Sequence, residues 1–210
     1  MNYISIIDTG INNLRSIVGA INHSGFETII TNDENKIMNS SGLILPGVGS
    51  FPAGMKKLKK ENLSSTIKKF HKENKPILAI CLGFQMLFTS SNEFKYTKGL
   101  NLLSGNVKSL QSLRTNEIVP NLGWSTLNFK KKKTNHLFKN IDLKPSIYFI
   151  HSYYVEMTNK KYETSTTNFG EKKITTSIQY KNIYGVQFHP EKSGHIGLKI
   201  IQNFLTQTKK

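Results

Sequence analysis

One short stretch, Lys75 to Leu87, constrains the fold of this chain more than any other. Ile77 to Ile80 form an uninterrupted apolar run, which is typical of a strand that is covered on both faces of a sheet. After Cys81 and Gly83 the apolar spacing changes to that of one helix face. The stretch therefore predicts a buried strand, a sharp turn at Cys81 and the start of a helix.

Cys81 is the only cysteine in the chain, and its place between a strand and a helix is that of a nucleophile elbow. A side chain there is lifted out of the sheet, and the helix N-terminus favours a thiolate. This stretch alone leaves a second interpretation open, in which Cys81 is a small buried hydrophobic residue. A single thiol excludes an internal disulfide framework and predicts a reducing compartment.

A second segment, Tyr184 to Glu191, contains the groups that would activate such a thiol. Ile183 to Phe188 predict another strand, and Pro190 biases the residue before it toward extended backbone. Because residues i and i+2 of an extended segment point to the same side, His189 and Glu191 are predicted to lie together. The carboxylate would orient the imidazole, and the imidazole would activate the thiol. The alternative is a structural histidine at a strand end.

Strand-like and helix-like patterns alternate along the first half of the chain. The predicted strands there are Tyr3–Ile7, Phe26–Thr31, Gly42–Leu45 and Ile77–Ile80, with a helix from about Asn13 to Ser24 after the first. Such alternation predicts a parallel sheet with helices on both faces. From Gly99 onward short β-like runs take over, at Asn106–Leu110, Glu117–Pro120 and Ser125–Phe129. The predicted fold is α/β, with a mostly parallel central sheet, helices on both faces and a smaller antiparallel β extension, in one domain over residues 1–210.

The formal net charge of +16 makes nucleic acid the first partner to consider. The lysines are spread through predicted helices and loops, and no basic helix with interleaved aromatic residues is present, so we favour a solvated basic surface. No apolar run approaches the roughly 18 residues that span a membrane. The N-terminus shows no signal-peptide layout, and we expect a cytoplasmic protein without membrane or nucleic-acid partners.

Several segments together resemble the class I (triad-type) glutamine amidotransferases across essentially the whole chain. They are Ile6–Gly10 with Asn13–Ser16, Leu45–Phe51, Ile80–Gln85, Leu122–Trp124, Tyr148–Tyr154 and Val186–Gly194. More narrowly, the chain is similar to the glutaminase subunits of imidazole glycerol phosphate synthases, which act in histidine biosynthesis. The elbow cysteine with His-Pro-Glu carries the broader resemblance, and the His-Ser-Tyr-Tyr and Glu-Lys-Ser segments carry the narrower one.

The resemblance implies hydrolysis of glutamine to glutamate and ammonia, without cofactor or metal. It implies a catalytic triad of Cys81, His189 and Glu191. The implied oxyanion hole comprises Gly47, Val48, Gly49 and Leu82. The implied substrate contacts are Gln85, Glu93, His151, Ser152 and Tyr153, and the implied partner contacts are Asn13 and Trp124. The partner would be a (β/α)8 cyclase subunit in a heterodimer, which uses the ammonia to make imidazole glycerol phosphate and an aminoimidazole carboxamide ribotide.

Ala79 stands where the family usually has glycine, which is a small change, and four further departures bear on the partner. Thr9, Asn12, Asn121 and Ser125 stand where the family usually has tyrosine, glycine, histidine and asparagine. They leave open a paralogous synthase as the partner, such as one that amidates a sugar. A catalytically silent binding subunit and a basic nucleic-acid-binding protein are the remaining alternatives, and the intact Cys-His-Glu set argues against the first of these.

Overall fold

The structure is a computed structural model that describes residues 3–10, 14–130 and 136–209. Its strands are β1 (Tyr3–Ile6), β2 (Glu27–Ile30), β3 (Gly42–Leu45), β4 (Ile77–Ile80), β5 (Ser90–Ser91), β6 (Thr97–Lys98), β7 (Gly105–Ser109), β8 (Asn121–Thr126), β9 (Asn128–Phe129), β10 (Ser146–His151), β11 (Tyr153–Met157), β12 (Glu163–Phe169), β13 (Lys172–Tyr180) and β14 (Ile183–Val186). Its α-helices are α1 (Leu14–His23), α2 (Glu34–Asn39), α3 (Phe51–Lys60), α4 (Leu63–Lys72), α5 (Leu82–Met86) and α6 (Gly194–Gln207).

The central sheet has the strand order β2-β1-β3-β4-β14-β13-β12-β9. Its first five strands are parallel to one another, and β13, β12 and β9 continue the sheet in antiparallel pairs. A second sheet has the order β11-β7-β5-β6, and β10 pairs with β8 as a two-stranded ribbon. This architecture confirms the predicted α/β class with its mostly parallel sheet and antiparallel extension.

Both faces of the central sheet are covered, because neighbouring residues of each strand enter different cores. In β4, Ile77 and Ala79 pack with residues of α3 and α4. Leu78 and Ile80 instead pack with residues of α1 and α6. All four side chains are at most 1% exposed, which explains why this strand is an uninterrupted apolar run rather than an alternating one.

The predicted strand at Glu117–Pro120 is wrong, since the chain is irregular there and the next strand, β8, begins at Asn121. Pro120 has no N–H to donate to a ladder, so the segment ends where pairing starts. The strand then pairs with β10 from Asn121↔His151 to Thr126↔Ser146.

The carboxyl ends of three adjacent strands, β3, β4 and β14, meet at one edge of the central sheet. The segments that leave them begin at Pro46, Cys81 and Gln187. Ligand sites of open α/β sheets lie outside such carboxyl ends, so the fold brings the predicted catalytic segments to one place. None of the helices in the described ranges has the length and apolar character that crossing a membrane requires.

Candidate active site

Cys81 occupies the turn between β4 and α5 with φ 54° and ψ −110°, backbone angles that non-glycine residues rarely adopt. The turn is held from both sides: the Cys81 N–H donates to the Val186 carbonyl at 2.8 Å, and the Gln85 N–H donates to the Cys81 carbonyl at 3.1 Å. Gly83 lets α5 approach β3 closely, because a Cβ at this position would lie 1.9 Å from the Leu45 oxygen. The predicted strand–turn–helix is therefore present, with the cysteine at its apex.

Cys81 opens into a cavity of about 300 Å³, a volume at the small end of ligand sites and suited to an amino acid. Most of the residues that the sequence assigned to chemistry or substrate line it. The lining residues are Val48, Gly49, Cys81, Leu82, Gln85, Glu93, Pro120, Ile150, His151, Ser152, Tyr153 and His189.

Of the predicted site residues that the structure describes, three lie outside this lining. Gly47 packs against the elbow, where a Cβ would lie 2.8 Å from the Gly83 nitrogen. Glu191 contacts Nδ1 of His189, and Trp124 is on the exposed face of β8. Asn13 lies outside the described residues.

His189 and Glu191 form a buried pair, with 2.7 Å between Nδ1 and Oε1 and side-chain exposures of 4% and 8%. Their proximity was predicted for the wrong reason. Glu191 belongs to a 3-10 turn, Pro190–Lys192, rather than to an extended segment. The turn folds the carboxylate back onto the imidazole of the residue that precedes it.

The His189 ring is held in its protonated form. Burial alone would lower the pKa of His189, but hydrogen bonding and the negative charges at Cys81 and Glu191 outweigh it and raise the pKa to about 10. An imidazolium beside a cysteine stabilises the thiolate, which is the nucleophilic form. The arrangement can therefore supply a nucleophile, Cys81, and a proton donor, His189.

The Cys81 sulfur has one acceptor and one donor beside it. Sγ lies 3.9 Å from the Ile150 carbonyl oxygen and 3.7 Å from the Gln187 Nε2. The Nε2 of His189 is buried and, within the described chain, makes no hydrogen bond. Cys81 is close enough to raise the pKa of His189, although Nε2 makes no hydrogen bond of ordinary geometry to it; catalytic hydrogen bonds are often long before substrate binds.

The backbone donor that follows the nucleophile is occupied. The Leu82 N–H, the usual donor to an oxyanion at an elbow, donates instead to the Gly47 carbonyl oxygen at 3.3 Å. The neighbouring Gly49 has φ +91°, a conformation that glycine adopts without steric cost. The loop at residues 46–49 therefore places an acceptor, the Gly47 carbonyl oxygen, against the Leu82 N–H, and this N–H is not free to bind another acceptor in the present conformation.

Glu93 is 8% exposed and lines the cavity, so it is not the solvated surface acid that a lone glutamate usually is. Its Oε2 accepts a hydrogen bond from the Phe51 N–H at 2.6 Å. Burial raises the pKa of Glu93, while the Phe51 N–H opposes that shift. A buried carboxylate with one donor gains from a cationic ligand, which is the chemistry of an α-amino group.

His151 is neutral and fully engaged. Its Nδ1 lies 2.8 Å from the Tyr153 carbonyl oxygen and its Nε2 lies 3.0 Å from the Asn121 Nδ2. Burial lowers the pKa of His151 to about 4, with a further contribution from the charge on His189. Because the carbonyl can only accept, the ring proton is on Nδ1 and Asn121 donates to Nε2. The asparagine that departs from the family pattern thus fixes the orientation of this ring.

The other departures have less visible roles. Thr9 is buried at 8% exposure in the segment after β1, and Ser125 is a half-buried residue of β8 opposite Ile147. Asn12 lies outside the described residues.

Gln187 was not assigned a role from the sequence, although it stands two residues before His189. Its side chain is fully buried and bridges Gln85 and Cys81, with 3.0 Å from the Gln85 Nε2 to the Gln187 Oε1. The alternation used to relate His189 to Glu191 would have put Gln187 on the same side as His189. The two-residue spacing is thus the sequence signal for its place beside the site.

An apolar surface borders the cavity, and we call it the hairpin patch. It consists of Leu122, Trp124, Tyr148 and Ile150, which form the directly opposed pairs Leu122↔Ile150 and Trp124↔Tyr148 on one face of β8 and β10. Leu122, Trp124 and Ile150 are 61%, 58% and 41% exposed. Ile150 belongs both to this patch and to the cavity wall, so the patch surrounds part of the cavity mouth.

A family model described as glutamine amidotransferase class-I matches residues 5–208. The chain belongs to the class I glutamine amidotransferase family, as its elbow cysteine and His-Glu pair indicate. Solved structures share the fold. The one described as the crystal structure of glutamine amidotransferase has a TM-score of 0.75 at 13% identity and covers 99% of each chain. The structure of PurLQS from Thermotoga maritima has a TM-score of 0.74 at 20% identity and covers 98% of each chain.

More similar relatives carry the name imidazole glycerol phosphate synthase subunit HisH. The protein from Caldanaerobacter subterraneus subsp. tengcongensis is 43% identical over 201 residues, with 96% of each chain covered. The protein from Lactococcus lactis subsp. lactis is 42% identical over 208 residues, covering 99% of this chain and 100% of the relative. The protein from Methanosarcina barkeri is 42% identical over 206 residues, with 98% of each covered. These likenesses confirm the family predicted from the sequence.

Proposed function

We propose that this chain is the glutaminase subunit of an imidazole glycerol phosphate synthase, in which it hydrolyses glutamine and passes ammonia to a cyclase subunit. The observation that carries the proposal is the elbow cysteine in a 300 Å³ cavity beside a buried His189–Glu191 pair. Full-length relatives of about 40% identity bear that subunit's name, which supports the choice of synthase.

In the proposed reaction the Cys81 thiolate attacks the side-chain carboxamide carbon of glutamine. Protonated His189 gives its Nε2 proton to the departing nitrogen, so that ammonia leaves and a thioester remains. His189, now neutral, takes a proton from a water molecule as that water attacks the thioester carbon. Glutamate is released and the Cys81 thiolate is restored. Glu191 keeps the ring oriented through Nδ1 in both steps. Glu93 is proposed to hold the α-amino group of the substrate.

The resting site is proposed to be slow, because an oxyanion would compete with the Gly47 carbonyl for the Leu82 N–H. Loss of one oxyanion-hole donor typically slows acyl transfer by about 100- to 1000-fold. A turn of the loop at 46–49 would withdraw the carbonyl and direct N–H groups inward. Coupling that turn to the cyclase would keep ammonia from being released when no acceptor is present.

The hairpin patch is the proposed contact with the cyclase. Exposed apolar groups that adjoin one another mark interaction sites, and this patch shares Ile150 with the cavity wall. A partner seated there would cover the mouth of the cavity and receive ammonia without release to solvent.

The proposal is tested by measuring glutamate release from glutamine with a histidine-pathway cyclase and its ribotide ligand each present or absent. We expect a rise of at least 100-fold when both are added, and loss of that rise in Cys81→Ala. No rise with a competent cyclase overturns the assigned synthase. In that case labelling of Cys81 by a glutamine-analogue electrophile would keep the glutaminase and direct the search to paralogous synthases, and absence of labelling would reject both.

A further inference from the structure

We propose that Gln187 is a positioning residue for the nucleophile, whose carboxamide N–H holds the Cys81 sulfur as a thiolate. Gln187 is fully buried and directly follows β14. Its backbone N–H donates to the Thr176 carbonyl at 2.8 Å, which fixes the main chain. The side chain reaches Sγ of Cys81 at 3.7 Å, within the range for a hydrogen bond to sulfur.

The orientation of the Gln187 carboxamide is assigned through Gln85, which contacts both Gln187 and the Tyr153 backbone carbonyl. The Tyr153 oxygen lies 3.1 Å from one end of the Gln85 carboxamide, and because a carbonyl can only accept, that end is the NH2 group. The same NH2 group lies 3.0 Å from Gln187, so the Gln187 atom that faces it is the oxygen. The remaining end of Gln187 is then its NH2 group, and it faces the sulfur. No other assignment satisfies all three contacts.

Two neighbours of the Cys81 sulfur favour opposite protonation states of the thiol. The Ile150 carbonyl, 3.9 Å away, can only accept and therefore favours the protonated thiol. The Gln187 N–H can only donate, and it favours the thiolate. A hydrogen bond to a charged group is stronger than one between neutral groups, so the Gln187 N–H adds to the effect of His189 on the same sulfur atom.

The contact also links the nucleophile to the substrate wall. Gln85 and Tyr153 both line the cavity, and they orient the group that touches the sulfur. The inference rests on the proposed function in one respect, which is that Cys81 is the nucleophile. Its test requires neither glutamine turnover nor a synthase partner.

The test compares the rate of iodoacetamide alkylation of Cys81 against pH in the parent chain and in Gln187→Met, which keeps the length of the side chain and removes the donor. We expect the acid limb of the profile to move to higher pH and the rate at pH 7 to fall about tenfold or more. Gln179→Met is the matched control, since Gln179 is a half-buried glutamine of β13 outside the cavity, and its profile should equal that of the parent. A purely packing role for Gln187 would change the plateau rate without moving the limb.

A second measurement covers the case in which Gln187→Met fails to fold. In the parent chain the Gln187 Nε2 proton resonances, assigned through the side-chain carbons, should shift over the same pH range as the alkylation rate. That shift should be absent in Cys81→Ala. Superimposable alkylation profiles for a folded Gln187→Met, or Nε2 resonances that do not respond to Cys81, overturn the inference. If Cys81 of the parent is never alkylated and never labelled by a glutamine analogue, the proposed function fails instead.

Discussion

Substituting Gly83 by alanine tests the packing that places the nucleophile. A Cβ at Gly83 would lie 1.9 Å from the Leu45 oxygen, about 1.5 Å short of ordinary contact at 3.4 Å. Leu45 is the last residue of β3, and its oxygen is a backbone atom that no side-chain rotation can move. Overpacking costs about 1–3 kcal/mol, and alanine recovers at most about 1 kcal/mol of helix propensity. Because the clash is with backbone, we place the overpacking cost at the upper end of that range and expect Gly83→Ala to lower the free energy of unfolding by about 2–3 kcal/mol.

The same substitution at Gly19 is the matched control. Gly19 lies inside α1, and a Cβ built there meets nothing within 4 Å. Only the propensity term applies, so Gly19→Ala should raise the free energy of unfolding by up to about 1 kcal/mol. The two variants carry an identical chemical change with opposite expected signs, and helix propensity alone could not produce that result.

Urea unfolding followed by far-UV circular dichroism measures both values, provided that the slope with urea is unchanged. Because the clash is relieved by moving either the elbow or the loop after β3, Gly83→Ala should also slow Cys81 alkylation, whereas Gly19→Ala should not. Gly83→Ala with the unfolding midpoint and alkylation rate of the parent would refute the argument. Destabilisation by Gly19→Ala would show that the surroundings of the two glycines are misdescribed.

Three further predictions concern charge and the hairpin patch. Glu191→Gln should bring the pKa of His189 down from about 10 toward its ordinary 6.5, a change that ring-proton NMR would detect. The same substitution should slow glutamate release about 100-fold. An unchanged pKa of His189 would contradict the role given to Glu191. The folded pKa of His189 is raised, so the stability that the protonated ring gives the fold is complete below pH 6.5 and is lost as pH rises through about 10. The difference in free energy of unfolding between the parent and Glu191→Gln should therefore shrink over that pH range. A difference that stays constant in urea titrations would contradict a stabilising His189–Glu191 pair. Trp124→Ala should weaken cyclase binding by about 30-fold in calorimetry, whereas Leu143→Ala, an exposed apolar residue outside the patch, should not; equal effects would argue against the patch.

The strand and turn at Cys81 were predictable because their signals are local. The run Ile77–Ile80 is apolar at every position, since both faces of β4 are covered, and a helical pattern follows within a few residues. Glu117–Pro120 carried a similar β-like pattern but failed, because strand formation there depends on a pairing partner and on N–H groups that Pro120 lacks.

Contacts between distant segments were beyond local reasoning. The hydrogen bonds from Asn121 to His151 and from Gln85 to Gln187 join residues that are 30 and 102 positions apart. The engagement of the Leu82 N–H by Gly47 depends on how one loop turns against another element, and residue types alone do not determine a peptide orientation. The proximity of His189 and Glu191 was anticipated, yet the 3-10 turn that produces it was not.

The positive φ of Cys81 has a consequence for how this chain can change over time. Backbone angles of this kind cost non-glycine residues about 1–3 kcal/mol, and glycine at position 81 would avoid most of that cost while abolishing the thiol. Relief of that strain by glycine would be set against the loss of a buried side chain and the greater freedom of glycine in the unfolded chain. A space-filling cysteine has no need of such backbone angles, whereas a nucleophile elbow requires them, so the strain at Cys81 favours the nucleophile over the buried hydrophobic residue that the Lys75–Leu87 stretch left open.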